Sequence, residues 1–401
     1  MRTPIFAAFV LPLLVIVPIA RGEFPTFRGQ EIDRSLKIGY AVTLADVNGD
    51  GKPDVVVCDK DRVIYFSNPD WKLHTILQGQ TKLDNVCIDA YDVDGDGHID
   101  LALGAGWRPS DTNDPGTIQW LRNPGNDQPW ELHPIGGEPN VHRMRWIDLD
   151  GDGRKELVVS PLQGRGTTAK KNWSEHPTRL LAFKIPADPA KGPWTPVVIN
   201  EEMHTIHNFW PVDFDGDGRV DLLTASYEGV SLLRRSADGA WSRQLLGQGN
   251  QEHPESNRGS SEIKLGRLKD GKRYIATVEP WHGFQIVVYT PGEQGGPWSR
   301  KVIDSQLKWG HAVQCVDVDG DGEDELIVGV RDPLNEQVRS GVNVHKLVNG
   351  AWQKHVIDNG GVATEDMAVG DLNGDGKPDL VAVGRATKNV KIYWNEGLAA
   401  R

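Results

Sequence analysis

The sequence predicts an all-β chain folded as a seven-bladed β-propeller of four-stranded blades. Three observations carry the prediction. An acidic loop recurs along the chain, counting one degenerate copy, at intervals of 46 to 65 residues. Each copy sits inside the same run of short strands, and such a period marks a repeat architecture. The C-terminal unit is one strand short, and the missing strand is found at the N-terminus.

Each unit reads the same way. An apolar stretch such as "AVTLA" (41–45) leads into the acidic loop, and a β-branched run such as "DVVVCD" (54–59) follows it. A third strand comes next, as in "RVIYFSN" (62–68). The fourth opens on a tryptophan: Trp71, Trp130, Trp194, Trp241, Trp298 or Trp352. Short alternating runs bounded by Gly, Pro and Asn, with almost no helical period, indicate strands and turns. A tryptophan required once per blade is a packing residue rather than a sugar platform. The last unit ends after its third strand, "NVKIYWN" (389–395), while "FRGQEIDRSLKIGYAV" (27–42) aligns with "WSRKVIDSQLKWGHAV" (298–313). The N-terminal strand is therefore expected to complete blade 7, which removes an open sheet edge.

Residues 1–22 read as a signal peptide: Arg2 is the basic region, 5–19 the apolar core, and Ala20-Arg21-Gly22 the small-residue cleavage site. The expectation is an exported protein, periplasmic or extracellular, with residues 23–401 forming one propeller domain. Nothing later is apolar enough to span a bilayer. Losing Arg2 and Arg21 takes the formal charge from −12 to −14. Such acidity argues against nucleic acid as a partner. Three cysteines, Cys58, Cys87 and Cys315, are too few for a disulfide framework. They read as buried thiols, with a Cys58–Cys87 bridge as the alternative.

The acidic loops place acids or Asn at positions 1, 3, 5 and 9, with Gly at 4 and 6. The sets are Asp46, Asn48, Asp50 and Asp54; Asp92, Asp94, Asp96 and Asp100; and Asp148, Asp150, Asp152 and Glu156. The others are Asp213, Asp215, Asp217 and Asp221; Asp317, Asp319, Asp321 and Glu325; and Asp371, Asn373, Asp375 and Asp379. Hard cations take six to eight oxygens, and a glycine-rich loop can fold short acids around one centre. A single copy could be a polar turn held by Asx hydrogen bonds. Six copies with one spacing point to calcium. In blade 5 Arg267 replaces the first acid, so that loop is expected to be metal-free.

Six residues ahead of each loop stand Tyr40, Val86, His142, His207, Ser261, His311 and Glu365; the Ser261 assignment assumes a one-residue deletion. The first strand of a propeller blade is innermost, so these residues should rim the central channel. A lone histidine at a strand start is usually a hydrogen-bonded surface or core residue. Three of the chain's 12 at one structural position are harder to dismiss. His142, His207 and His311, with Glu365 as ligand or support, suit zinc or a similar divalent transition metal with an open position. The loops joining second to third strands belong to the same face. They supply His282 as a candidate base, Tyr227 (with Tyr40) as a candidate acid, and Arg108, Arg165 and Trp281 as candidate substrate contacts. Trp107, Arg331 and Arg385 lie on that face too, as do two long loops, 161–178 and 247–261.

The "DxDGDGxxD" loops between strands resemble the FG-GAP/VCBS repeats of integrin-α-type propellers over about residues 27–397. That resemblance implies a calcium-stabilised propeller and leaves function open. The histidine-rimmed channel resembles the propeller domain of the aldos-2-ulose dehydratase family. It implies removal of water from keto-sugars at a metal centre. The leading expectation is a metal-dependent carbon–oxygen lyase acting on a small polar or carbohydrate ligand. The alternative is a non-catalytic extracellular binding or adhesion module. Polysaccharide lyases with related loops have eight blades, and here there are seven.

Overall fold

A computed structural model of the protein describes residues 24–126, 128–253, 255–292 and 297–399. The signal-peptide reading therefore lies outside the described residues. Seven antiparallel four-stranded sheets succeed one another along the chain. Their first strands are Gly39–Ala45, Asn85–Tyr91, Val141–Ile147, Asn208–Val212, Ile263–Arg267, Lys308–Val316 and Thr364–Gly370. Among the described residues the only helical piece is a short 3-10 turn, Ala169–Lys171. Among the described residues no helix is long and apolar enough to cross a membrane.

Second strands are buried along their whole length in five blades, 54–59, 100–105, 156–161, 221–226 and 379–384. Each lies mid-sheet with a neighbouring blade on either side, which explains the unbroken Val/Leu/Ile runs. The cores lie between blades. One joins Val55, Ile64 and Phe66 of blade 1 to Val381, Ile392 and Trp394 of blade 7. The periodic tryptophans work in these seams: Trp71 meets Trp394 at 5.9 Å, Trp298 meets Phe214 at 5.6 Å and Trp352 meets Tyr274 at 5.3 Å. The three cysteines are free thiols, two of them buried.

The ring closes as the sequence predicts. Phe27–Asp33 pairs antiparallel with Val390–Asn395, in register from Phe27↔Asn395 to Glu31↔Lys391. Trp394 Nε1 donates to Gln30 Oε1 at 2.8 Å. Deleting residues 27–33 should lower the melting midpoint by roughly 5–10 °C and promote association through the bared edge. Thermal melts and size-exclusion chromatography measure both, and an unchanged monomer would contradict the closure.

Candidate functional site

Five of the seven residues expected at the axis reach it by a device absent from the sequence reading. In five first strands the pairing slips by one residue, between Gly39 and Ala41, Asn85 and Cys87, Val141 and Arg143, Gly310 and Ala312, and Thr364 and Asp366. The extra residue of each bulge is Tyr40, Val86, His142, His311 or Glu365. A bulge lifts one residue out of the ladder and re-aims its side chain. Repeated around the ring, it turns all five toward one cavity of about 280 Å³.

Three imidazoles converge there: His207, His282 and His311 offer ligand atoms within 4.8 Å of one another. This corrects the expected set of His142, His207 and His311. His282, expected to stand apart as a base, has Nε2 2.8 Å from His207 Nε2. His142 lies beside the group, its ring 4.6 Å from that of His207, and its Nδ1 donates to His207 O at 3.1 Å. A carbonyl only accepts, so Nδ1 carries the proton and Nε2 the lone pair. By the same reasoning His311 Nδ1 donates to Glu365 O at 2.6 Å and leaves its own Nε2 unprotonated. His207 Nδ1 lies 2.9 Å from Glu262 Oε1. Carbonyls and carboxylates behind ligating histidines orient the rings in this way.

Burial is the first cause lowering the pKa of all four histidines, with Arg143 adding to it; at His207 the Glu262 carboxylate pulls upward and is outweighed. They stand neutral at pH 7, the form that binds a metal. Burial pushes Glu262 up, but the His207 contact, the Arg143 charge and an Asn208 hydrogen bond outweigh it and hold Glu262 at about 2. Glu365 is raised by burial, against the pull of Arg385 and Arg331. Arg385 Nη1 donates to Glu365 Oε1 at 2.6 Å and Arg331 Nη1 lies 3.5 Å from Oε2, so this carboxylate is already paired and 4.0 Å from His311 Nε2. It supports the cluster rather than completing it. The nitrogen donors fit zinc or a similar transition metal.

The walls are aromatic. Trp107, Trp173, Trp281 and Trp309 line the cavity, with Tyr40 at its side. Trp281 stacks on His282 at 3.9 Å, and Arg331 sits 4.1 Å over Trp309. His282 and Trp309 hold left-handed backbone, φ 50° and 55°, a strained state for bulky side chains that clusters at functional sites. Two expected substrate contacts and one expected acid lie elsewhere. Arg108 is exposed and bridged to Asp114 at 2.9 Å, and Arg165 is exposed with Glu138 at 3.4 Å. Tyr227 is buried outside the lining, its hydroxyl 3.3 Å from Asn172 Oδ1. The guanidiniums that line the cavity are those of Arg143, Arg331 and Arg385.

At the other end of the first strands lie the acidic loops. Position 1 accepts two glycine N–H groups, as Asp46 does from Gly49 and Gly51 at 2.8 Å each. Both glycines have positive φ in all six copies, which only glycine adopts freely. Carboxylate oxygens gather within 4.8 Å in blades 2, 3, 4 and 6, a donor set that fits a hard cation. In blade 5 Arg267 turns away, its backbone N–H donating to Asp324 Oδ2 of blade 6 at 2.8 Å.

The fold and site together define a propeller with an acidic loop in all but one blade and a histidine cluster on its axis. Comparison with known proteins narrows that class. Residues 46–103 and 363–387 match FG-GAP-like and FG-GAP repeats, and residues 115–292 match the β-propeller domain of aldos-2-ulose dehydratase. Aldos-2-ulose dehydratase of Phanerodontia chrysosporium is 32% identical over 259 residues, 58% of this chain and 28% of that protein. Two solved structures share the fold alone. The BBS1N chain of a complex with ARL6DN has a TM-score of 0.56 at 16% identity, covering 94% of this chain and 100% of that one. An Agrocybe aegerita lectin that recognises non-reducing terminal N-acetylglucosamine has 0.53 at 15%, covering 89% and 91%.

Burial raises the position-9 acids, Asp54 to about 6, Asp100 to about 6 and Glu325 to about 8, with neighbouring loop acids adding to it. A carboxyl whose folded pKa exceeds its unfolded value stabilises fully below the unfolded pKa, and that stability is lost as pH rises through the folded one. In chelator, the melting midpoint should therefore fall between about pH 4 and 8. Saturating divalent cation should flatten the slope; parallel curves with and without cation would contradict it.

Proposed function

We propose that the protein is an exported, calcium-stabilised lyase that removes water from a keto-sugar or a related small carbohydrate in the axial cavity. The observation that carries this reading is the convergence of three neutral imidazoles beneath four indoles, with a base and an acid at hand. The dehydratase relative supports the reaction class. Calcium belongs to the six acidic loops. His207, His282 and His311 would hold a divalent transition metal, zinc being the best fit to the donors. Such a metal supplies Lewis-acid polarisation of a carbonyl oxygen.

The chain's own groups do the rest. The indoles of Trp107, Trp281 and Trp309 bury the apolar faces of a sugar ring and exclude water. Arg331 and Arg385, fixed by Glu365, present hydrogen-bond donors to its hydroxyls. His142 Nε2 bears a lone pair on the cavity side and takes the proton from the carbon next to the carbonyl. Burial, with the nearby Asp84, raises the Tyr40 hydroxyl well above its ordinary pKa, so it keeps its proton until it donates it to the departing hydroxyl. One C–H and one C–O bond break, and water and an unsaturated ketone result.

The test is to incubate the protein with 2-keto and 3-keto sugars and follow the ultraviolet absorbance of the product. His311→Ala should abolish turnover and strip the transition metal, read by elemental analysis, while the calcium-dependent melt persists. His142→Gln should keep the metal yet slow kcat by roughly 10²–10⁴-fold. Metal and activity both retained in His311→Ala would sink the axial-site reading and leave a binding module.

A further inference from the structure

The acidic loops are not alike, and the difference follows a rule. In each blade one residue of the third strand comes next after the residue paired with the start of the second strand, and it lies beside the loop. It is Arg122, Lys184, Arg234 and Lys346 in blades 2, 3, 4 and 6. In blades 1 and 7 it is Ser67 and Trp394. Every one of the four bases reaches the acid at loop position 3. Arg122 Nε lies 2.6 Å from Asp94, Lys184 Nζ 3.3 Å from Asp150 and Arg234 Nη2 3.8 Å from Asp215, and Lys346 contacts Asp319 directly. Where the base is missing, position 3 is Asn48 or Asn373.

Over positions 1, 3, 5 and 9 and the strand residue, four acids and one base make −3 in blades 2, 3, 4 and 6, and three acids and one asparagine make −3 in blades 1 and 7; position 7 adds a base in blades 1, 3, 4 and 7 and the acid Glu323 in blade 6. The bases also sit where a cation would. Lys346 is buried, with Asp321 at 3.2 Å and Glu325 at 3.4 Å besides Asp319. Glu325 is fully buried, and its Oε1 faces this loop with the Lys346 ammonium 3.4 Å away. Lys184 spans Asp150, Asp152 and Glu156.

We propose that the six loops are two kinds of cation site. In blades 2, 3, 4 and 6 a strand-borne Lys or Arg is a built-in counter-ion that holds the loop without metal and competes with calcium. The loops of blades 1 and 7 have no base on the third strand, Lys377 of blade 7 reaching only the position-5 acid Asp375 at 2.8 Å, and they depend on calcium. These two blades flank the seam where the N-terminal strand closes the ring, so calcium acts first on closure. The division rests on the reading of these loops as calcium sites. A base held on the position-3 acid must be displaced before a cation can take its place, so the two kinds should differ by about tenfold in affinity.

The test is calorimetric titration of the chelated mature chain with calcium, paired with melts in chelator and in calcium. Two tight sites are expected, with weaker ones behind them. Lys346→Met should convert one weak site to tight, making three, while its melt falls in chelator and recovers in calcium. Ser67→Lys should do the reverse and leave one. The two variants move the tight count in opposite directions, and misfolding cannot mimic a gained site. Six equivalent sites, or a tight count unmoved by both variants, would overturn the division alone. No calcium binding at all would overturn the calcium reading with it.

Discussion

The buried carboxylate at loop position 9 is the constraint on which the ring depends. Asp54 accepts from Val47 N at 3.2 Å and from Asn68 N at 3.0 Å, tying the loop to the end of the third strand. Asn68 then donates from its side chain to Leu372 O of blade 7 at 2.7 Å. Asp100 and Asn123 repeat the knot and reach back to Val47 O of blade 1; Asp379 and Asn395 repeat it and reach back to Val318 O of blade 6. Blades 6, 7, 1 and 2 are thus linked loop to loop. Blade 4 substitutes Arg235, which donates to Leu149 O of blade 3 at 3.2 Å. A carboxylate with no exposed surface is costly unless it is hydrogen-bonded or faces a cation, and this one does the first while its loop is shaped for the second.

That belt positions the chemistry at the other end of the same strands. A first strand anchored at its loop is short and stiff, so a bulge near its start places one side chain reproducibly over the channel. The site needs this. Imidazoles from blades 4, 5 and 6 must bring ligand atoms within 4.8 Å of one another although 75 residues separate His207 from His282. Blades 1 and 2 contribute Tyr40 and Val86, which cannot complete a nitrogen cluster, so the cavity has a ligand-bearing side and an open side. Trp281 and Trp309 pack on the ligand-bearing side against His282, and Trp107 packs on His142. The division of labour resembles other rigid scaffolds that carry function on loops at one end.

Much of this was legible because the loop motif supplies a ruler. Counting back from Asp46, Asp148, Asp213, Asp317 and Asp371 finds the axial residues without knowledge of the bulge, since five blades carry the same bulge at the same distance and in blade 4 His207 stands at that distance just ahead of its strand. The ruler fails where the motif fails. In blade 5 it points to Ser261, while the neighbouring Glu262 is the residue that faces His207. It also says nothing about residues on the connections between second and third strands. Those sort by length and local pairing: Arg108 and Arg165 are on the correct face, but Asp114 and Glu138 hold them outside the cavity, whereas Arg331 and Arg385 are drawn in by Glu365. Trp281 was legible and Trp173 was not, because it arrives on the long 161–178 loop.

The contrast between the two sets of tryptophans shows what periodicity means physically. Trp71, Trp298 and Trp352 recur because each seam presents the same groove, and they pack into a neighbouring blade. Trp107, Trp173, Trp281 and Trp309 share no strand position, and all four meet at one cavity. A seven-fold scaffold can supply identical packing everywhere but only one axis, so residues that break the repeat are the ones free to serve it. The same logic covers the histidines. His282 breaks the repeat altogether, entering from a connection with left-handed backbone, and it is the residue that turns the two axial imidazoles His207 and His311 into a three-nitrogen cluster.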